Sequence, residues 1–462
     1  MKKAKNPLGL LFLIFLLLYA QNIFAWWNFD VVETKLNGLR GQRFIVIGND
    51  GIIHIVYEDL DADYSQRITK HAYKDGLFWQ TEMIPDTQNL FPNGDIFIDS
   101  NNKLHMIFLG SSSTEYIIYY GTNCSGSWII ERVASYSMGG NYSVSKLVLD
   151  SNNKPHLSYI PSPPDVRYAY KDSTGWHIQV VNEEEGAYFS YLALDSFDNP
   201  HIVYEGWVGE ETWGGGRFEH TYKDNTGWHT EVINEDNVDP IFEVLFSNDT
   251  LHILYEDYPT GNLKYVFKDS TGWHKEIINE ERISGDASMI LDSRGNPFIS
   301  YRLQLPDYHY VFYFVQKDET GWQTQEFDDL GYCGLHSMAV DSDNNLHINY
   351  RCLKRNYLNT FEFHREYILK YAKRIETGWQ KEVVDRAHSF AVWWPPFSVN
   401  VFGNNISAGG EFSIAIDSDG NPHITYVKNC FNHFDSIFWW GGPCSSRGIN
   451  RLKHATRFDF VD

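Results

Sequence analysis

The sequence predicts an all-β protein, an eight-bladed β-propeller of four-stranded antiparallel blades, closed by its N-terminal strand completing the last blade. Three observations carry that expectation. A unit of about 50 residues recurs along the chain, the signature of a repeat fold. Each unit holds four short stretches rich in Val, Ile, Tyr and Phe, separated by Asp, Asn, Gly and Ser turns, with no helical stripe. A tryptophan that ends every other unit is missing from the last one, and Trp27 stands in frame to replace it.

The N-terminus comes first. MKKAKNPLGLLFLIFLLLYAQNIFA places three lysines before an apolar run at residues 8–20, with the small Ala25 beyond it. That is the layout of a secretory signal peptide, too short for a transmembrane anchor. We therefore expect residues 1–25 to be removed and residues 26–462 to form a single propeller domain, secreted or periplasmic, with no membrane span. The formal net charge of −22 argues against nucleic acid as a partner, because phosphate binding needs a basic footprint.

The repeat reads [I/L]xLDSxxNPHIxY, a variable stretch, then LxYxxKDxTGWxxEVV. Its first half appears at 44–57, 95–108, 146–159, 191–204, 242–255, 288–301, 337–350 and 413–426. A histidine recurs as His54, His105, His156, His201, His252, His347 and His423, with Phe298 in its place once, and six copies carry an aspartate six residues earlier (Asp99, Asp150, Asp195, Asp292, Asp341 and Asp417). DSxxN is expected to turn the first hairpin of each blade and KDSTGW the second. In the latter, Asp and Ser or Thr bond turn backbone, Gly permits a positive φ, and Trp packs between blades. The Trp position is filled by Trp79, Trp128, Trp176, Trp228, Trp273, Trp322 and Trp379, and WNFDVVE at 27–33 matches GWQKEVV. Pairing that strand with the last blade removes an exposed sheet edge.

These repeats resemble a group of exported bacterial and archaeal propellers with LDSxGNPHISY…KDxTGW units. More distantly, the KDSTGW hairpin is similar to the Asp-box of sialidase-like (BNR-repeat) propellers, which runs S-x-D-x-G-x-x-W. The resemblance covers nearly the whole mature chain and implies a fold rather than an activity. No arginine–proline motif of the sialidase type is present.

The repeated residues do not read as a site. Seven histidines in equivalent places form no asymmetric constellation, and a bond to the turn aspartate or the neighbouring blade accounts for them. The DSxxN turns lack the ligand ladder of a calcium loop, and no GxSxG, HExxH, P-loop or CxxC pair appears. No metal and no cofactor are expected. Of the five cysteines, Cys333 and Cys352 flank the blade 7 turn at Asp343 equally and should pair. Cys430 and Cys444 should close a blade 8 loop, leaving Cys124 over.

Function is sought where the pattern breaks. Six tryptophans outside the framework and away from the termini fall in three irregular segments, 205–220 (Trp207, Trp213), 391–405 (Trp393, Trp394) and 430–444 (Trp439, Trp440). Propeller topology opens all three, and 351–366 of blade 7, on one face; the tight hairpins open on the other. Just after the second strand, blades 1, 4 and 5 carry Glu58, Glu205 and Glu256, whereas blades 6, 7 and 8 carry Arg302, Arg351 and Lys428 at or near that position, with Arg447 nearby. An aromatic, basic sector on an acidic protein suits an anionic ligand with stackable rings. The reading that follows is an exported protein binding a glycan or other extracellular polymer through the loop face of blades 4, 7 and 8. The alternatives are a polysaccharide lyase or glycoside hydrolase, with His388 or His433 as base and Arg neutralising a uronate, and a scaffold for a protein partner on the same face.

Overall fold

A computed structural model describes residues 26–36, 43–63, 65–137, 143–145, 147–161, 165–182, 187–207, 216–234, 237–258, 260–305, 310–318, 320–328, 332–359, 362–375, 378–394, 397–406, 413–431 and 449–458. These residues hold no helix and build eight four-stranded antiparallel blades arranged as a β-propeller. Blade 1 shows the plan: Arg43–Ile47, Ile53–Leu60, Arg67–Asp75 and Phe78–Met83, each hydrogen-bonded to the next. The innermost strands neighbour one another around the ring, and Arg43–Ile47 of blade 1 lies against Ser413–Ile416 of blade 8.

Closure by the N-terminal strand is observed. Trp26–Leu36 pairs antiparallel with Ile449–Phe458, from Trp26 opposite Phe458 to Leu36 opposite Asn450. It forms the outer strand of blade 8, with Trp27 in the framework position.

The heptapeptide is a lock between blades. Trp27, Trp79, Trp128, Trp176, Trp228, Trp273, Trp322 and Trp379 each set their indole edge-on to a ring on the third strand of the preceding blade. The partners are Tyr371, His454, His71, Tyr120, Tyr168, His220, Tyr265 and Phe314, with centroids 4.8–5.6 Å apart. T-shaped pairs of this kind add to the gain from burial. The motif's acid accepts from the following blade: Glu276 takes Trp322 Nε1 at 2.6 Å and Lys317 Nζ at 2.5 Å. Asp30 does the same for Trp79 at 3.2 Å and Lys74 at 2.5 Å across the closure seam. Gln179 makes the same contact with Trp228 at 3.1 Å and Lys223 at 3.0 Å, whereas Glu131 and Glu231 take the lysine of the following blade (Lys171, Lys268) but not its indole. Within the turn, Asp172 Oδ1 accepts from the Thr174 backbone N–H at 2.7 Å, and Gly175 takes a φ of 125° that an L side chain resists.

The first hairpins are linked as well. Asn102, Asn153 and Asn344 adopt φ near 60° (59, 62 and 63°), a left-handed region that Asn tolerates. Asn here rather than Gly gains a side-chain oxygen, and that oxygen accepts from the backbone N–H of the preceding blade's turn: Asn49 to Asn102 at 2.8 Å, Ser293 to Asn344 at 2.8 Å.

The recurrent histidines are framework, as expected. Each puts Nδ1 against a third-strand Tyr or His, such as His347 with Tyr371 Oη at 2.7 Å and His423 with His454 Nε2 at 3.0 Å. In blades that carry the hairpin aspartate the other ring nitrogen faces it, at 3.0 Å for His347 and Asp341 and 3.1 Å for His423 and Asp417; blades 1 and 5 have Gly48 and Phe246 in its place. Burial lowers His105, His156 and His347 from the usual imidazole value and pushes His54, His201, His252 and the third-strand His454 down to about 4. Cys333 and Cys352 stand opposite each other in register and are disulfide-bonded, and Cys124 is a free thiol. The expected Cys430–Cys444 bridge lies outside the described residues.

Candidate functional site

The face opposite the tight hairpins is built by the ends of the second strands. Seven of the eight blades place a buried tyrosine there (Tyr57, Tyr159, Tyr204, Tyr255, Tyr301, Tyr350 and Tyr426), and blade 2 places Phe108. The next residue points into the boundary with the following blade and reads Glu58, Leu109, Ile160, Glu205, Glu256, Arg302, Arg351 and Val427 round the ring. Acid therefore marks the boundaries after blades 1, 4 and 5, and arginine those after blades 6 and 7. Glu58 is pushed up to about 7 by burial, against the opposing pull of Arg67 and Arg43.

The two arginines are held in place. Arg302 lies 4.6 Å over the Tyr310 ring and donates from Nη2 to the Ser284 carbonyl at 2.9 Å. Arg351 sits 6.0 Å over Tyr367, and burial lowers its pKa from the usual guanidinium value. It faces Gly334 on one side and Leu369 on the other in register.

Lys428 belongs to a different arrangement. Register makes Val427 the counterpart of Arg302 and Arg351, so Lys428 projects from the other side of its strand. Its ammonium donates to Asp385 Oδ1 at 2.7 Å and to the Arg386 carbonyl at 2.9 Å. Asp385 also accepts from Tyr426 Oη at 2.8 Å and lies 3.5 Å from Lys453 Nζ; burial raises its carboxyl, but Lys428 foremost, with Tyr426 and Lys453, holds it below the usual range. This is a seam between blades 7 and 8. The same position of the N-terminal strand, Glu33, lies 3.8 Å from Lys70 Nζ at the seam between blades 8 and 1. Sequence counting placed Lys428 with the arginines because it stands one residue from them; a shift of one along a strand reverses the side chain.

Of the segments read as irregular in blades 7 and 8, 351–366 and 391–405 are extended strands where described, and 430–444 lies outside the described residues beyond Phe431. Leu346–Asn359 and Glu362–Ile375 run on as a hairpin to Asn359 opposite Glu362. Gly378–Trp394, 17 residues long, stays paired with that hairpin as far as Val392. The chain then returns as Phe397–Ile406, paired first with 389–394 and then, through Gly403–Ile406, with Phe431–Lys428 of blade 8. Blades 7 and 8 thus share a raised sheet above the ring, and with blade 6 they form one sheet of 13 strands.

On this platform the backbone places Trp393 and Trp394 at its outer end, Trp394 opposite Phe397. Glu366 stands opposite His388, and Arg386 Nη1 bonds Glu366 Oε1. Trp207 ends the second strand of blade 4, opposite Gly216. Trp213, Trp439, Trp440, Arg447 and His433 lie outside the described residues. The raised sheet itself escaped sequence reasoning; alternation in NTFEFHREYILKY was the signal that could have shown it.

No family model and no curated protein matches the chain. Among solved structures, it is similar to the polysaccharide lyase Uly1 (10% identity, 94% of this chain and 99% of that one covered, TM-score 0.43). It is also similar to the SapL1 lectin in complex with α-methyl fucoside (11%, 64% and 98%, TM-score 0.38), and to the WD40 domain of SCAP from fission yeast (9%, 93% and 94%, TM-score 0.45). At these identities the likeness concerns the propeller fold alone.

Proposed function

We propose that this is an exported protein that binds an anionic glycan or similar extracellular polymer on the face carried by blades 4, 7 and 8. The observation that supports this best is the raised sheet of blades 7 and 8. Leu346–Asn359, Glu362–Ile375 and Gly378–Trp394 of blade 7 run to 14, 14 and 17 residues, against at most 11 in the other described strands, and the last of them ends in Trp393 and Trp394. Aromatic faces give apolar contact to a sugar ring, and guanidinium forks take a carboxylate or sulfate in bidentate fashion. Preformed strands keep the ordering cost of binding low.

The test is a glycan array of anionic and neutral polymers probed with the mature chain, followed by Trp394→Ala and Arg351→Ala. Binding to anionic polymers that both substitutions weaken, without turnover, is the expected result. Appearance of an unsaturated uronate product would replace binding with lyase chemistry, for which Glu366 and His388, opposite one another, are the first residues to substitute. No binding to any polymer, with capture of a protein partner that Trp394→Ala abolishes, would assign the face to protein contact.

A further inference from the structure

Blade 2 departs from the repeat on the other face. Its second hairpin reads NCSGSW, the same length as KDSTGW, and carries Cys124 where that motif has its aspartate. From that position the thiol lies beside the blade's own Asp–His pair. Asp99, His105 and Cys124 present ligand atoms that all lie within 4.8 Å of one another. His105 Nε2 is 3.4 Å from Asp99 Oδ2 and 3.8 Å from Cys124 Sγ. A tetrahedral zinc ion with bonds of about 2.0–2.3 Å separates its nitrogen, oxygen and sulfur donors by about 3.3–3.6 Å. The separations of His105 Nε2 from Asp99 Oδ2 and from Cys124 Sγ stand close to that spacing.

The surroundings leave the right atoms available. Tyr120 Oη lies 2.5 Å from His105 Nδ1; with Nδ1–H donating to it, the Nε2 lone pair faces the cluster, the outer-shell arrangement that metal-binding histidines use. Asp99 Oδ1 is taken by the backbone N–H groups of Asn101 and Lys103, at 2.8 and 2.7 Å, which leaves Oδ2 for an ion. The Thr122 hydroxyl, 3.0 Å from Cys124 Sγ, donates to the sulfur. His105 and Asp99 are buried, whereas Cys124 is exposed, so an ion arrives from solvent and keeps one coordination position toward water. The symmetry that makes the other Asp–His pairs framework does not extend to blade 2, because no other blade supplies the sulfur.

We propose that Asp99 Oδ2, His105 Nε2 and Cys124 Sγ form a zinc(II) site on the tight-hairpin face. Cys124 binds as the thiolate and its proton passes to solvent; the fourth ligand is water. This departs from the expectation of no metal drawn from the sequence, and it stands apart from the ligand-binding reading of the opposite face.

The test uses the whole mature chain, free of a histidine tag and with the Cys333–Cys352 bridge intact. Metal content after dialysis against zinc should reach one ion per chain, and cobalt(II) in its place should show a thiolate-to-cobalt charge-transfer band. Zinc should also slow alkylation of Cys124. Cys124→Ser, an exposed substitution that leaves the ring folded, should abolish all three signals, and the Cys430→Ser/Cys444→Ser double variant should keep them. A folded wild type with reduced Cys124 that takes up no zinc overturns the proposal. So does zinc retained by Cys124→Ser, or lost only in the double variant.

Discussion

Trp128 and Trp394 are the same residue type under opposite demands. Trp128 is buried, stacks edge-on against His71 and donates to Glu82 at 3.1 Å. Trp128→Ala should therefore cost about 3–5 kcal/mol, measured by chemical unfolding. Trp394→Ala, at the outer end of the raised sheet, should stay within about 0.5 kcal/mol of wild type while weakening ligand binding. Equal destabilisation by the two, with binding intact, would make Trp394 a packing residue. Titration is the second test at this scale. His54, His201, His252 and His454 are neutral in the fold down to about 4, but take a proton near 6.5 when unfolded. The unfolded chain thus binds more protons between those values. Stability is full above pH ~6.5 and falls as pH drops toward 4, by about 1.4 kcal/mol per histidine per unit. Glu58 works in the opposite direction between its unfolded value and about 7, and one carboxyl does not offset four imidazoles. Melting temperature recorded from pH 7 to 4 should fall, and His252→Gln should flatten the curve by one proton. A flat profile in the wild type would mean that the histidines are protonated within the fold.

At the scale of single elements, the strand Trp26–Leu36 carries the largest burden. Removing residues 26–33 would leave Ile449–Phe458 with an open edge, and would delete Trp27 against Tyr371 and Asp30 against Lys74. The truncated chain should melt well below wild type and self-associate through the free edge; a monomer with an unchanged melting temperature would show that the strand is dispensable. The blade 7 hairpin should behave the other way. Replacing 354–365 with a two-residue turn cuts the raised sheet but leaves the Cys333–Cys352 bridge and the buried Tyr350 in the ring. Melting should change little and polymer binding should drop. That hairpin also shows where sequence reading stopped: its length, charge and missing turn motif marked a departure from the repeat, but the pairing of 403–406 with 428–431, which joins blade 7 to blade 8, is set by contact between segments that are not neighbours in the chain, which a single-sequence pattern does not encode.

For the molecule as a whole, charge makes the decisive prediction. A net charge of −22 repels an anionic polymer at long range, so binding must come from the local arginine sector. Attraction across such short distances weakens as the Debye length shrinks from about 10 Å at 0.1 M salt to about 3 Å at 1 M. Affinity for an anionic polymer should accordingly fall with added salt; affinity that rises would mean that apolar contact dominates and the arginines serve the fold.

The blade count, the strand count within each blade, the exchange of the N-terminal strand and the Cys333–Cys352 pair were all determined by the sequence alone. Each rests on local chemistry repeated at a fixed period: turn residues that demand particular φ values, tryptophans that need burial, and a missing strand matched by a surplus one. Tertiary structure decided the rest. It put Lys428 on the seam with Asp385 rather than beside Arg351, since one residue of register turns a strand side chain to the opposite face. It joined blades 7 and 8 by a shared sheet, and it brought Cys124 over Asp99 and His105. Those outcomes depend on where distant segments meet in space, and meeting in space is a property of the closed ring rather than of any one repeat.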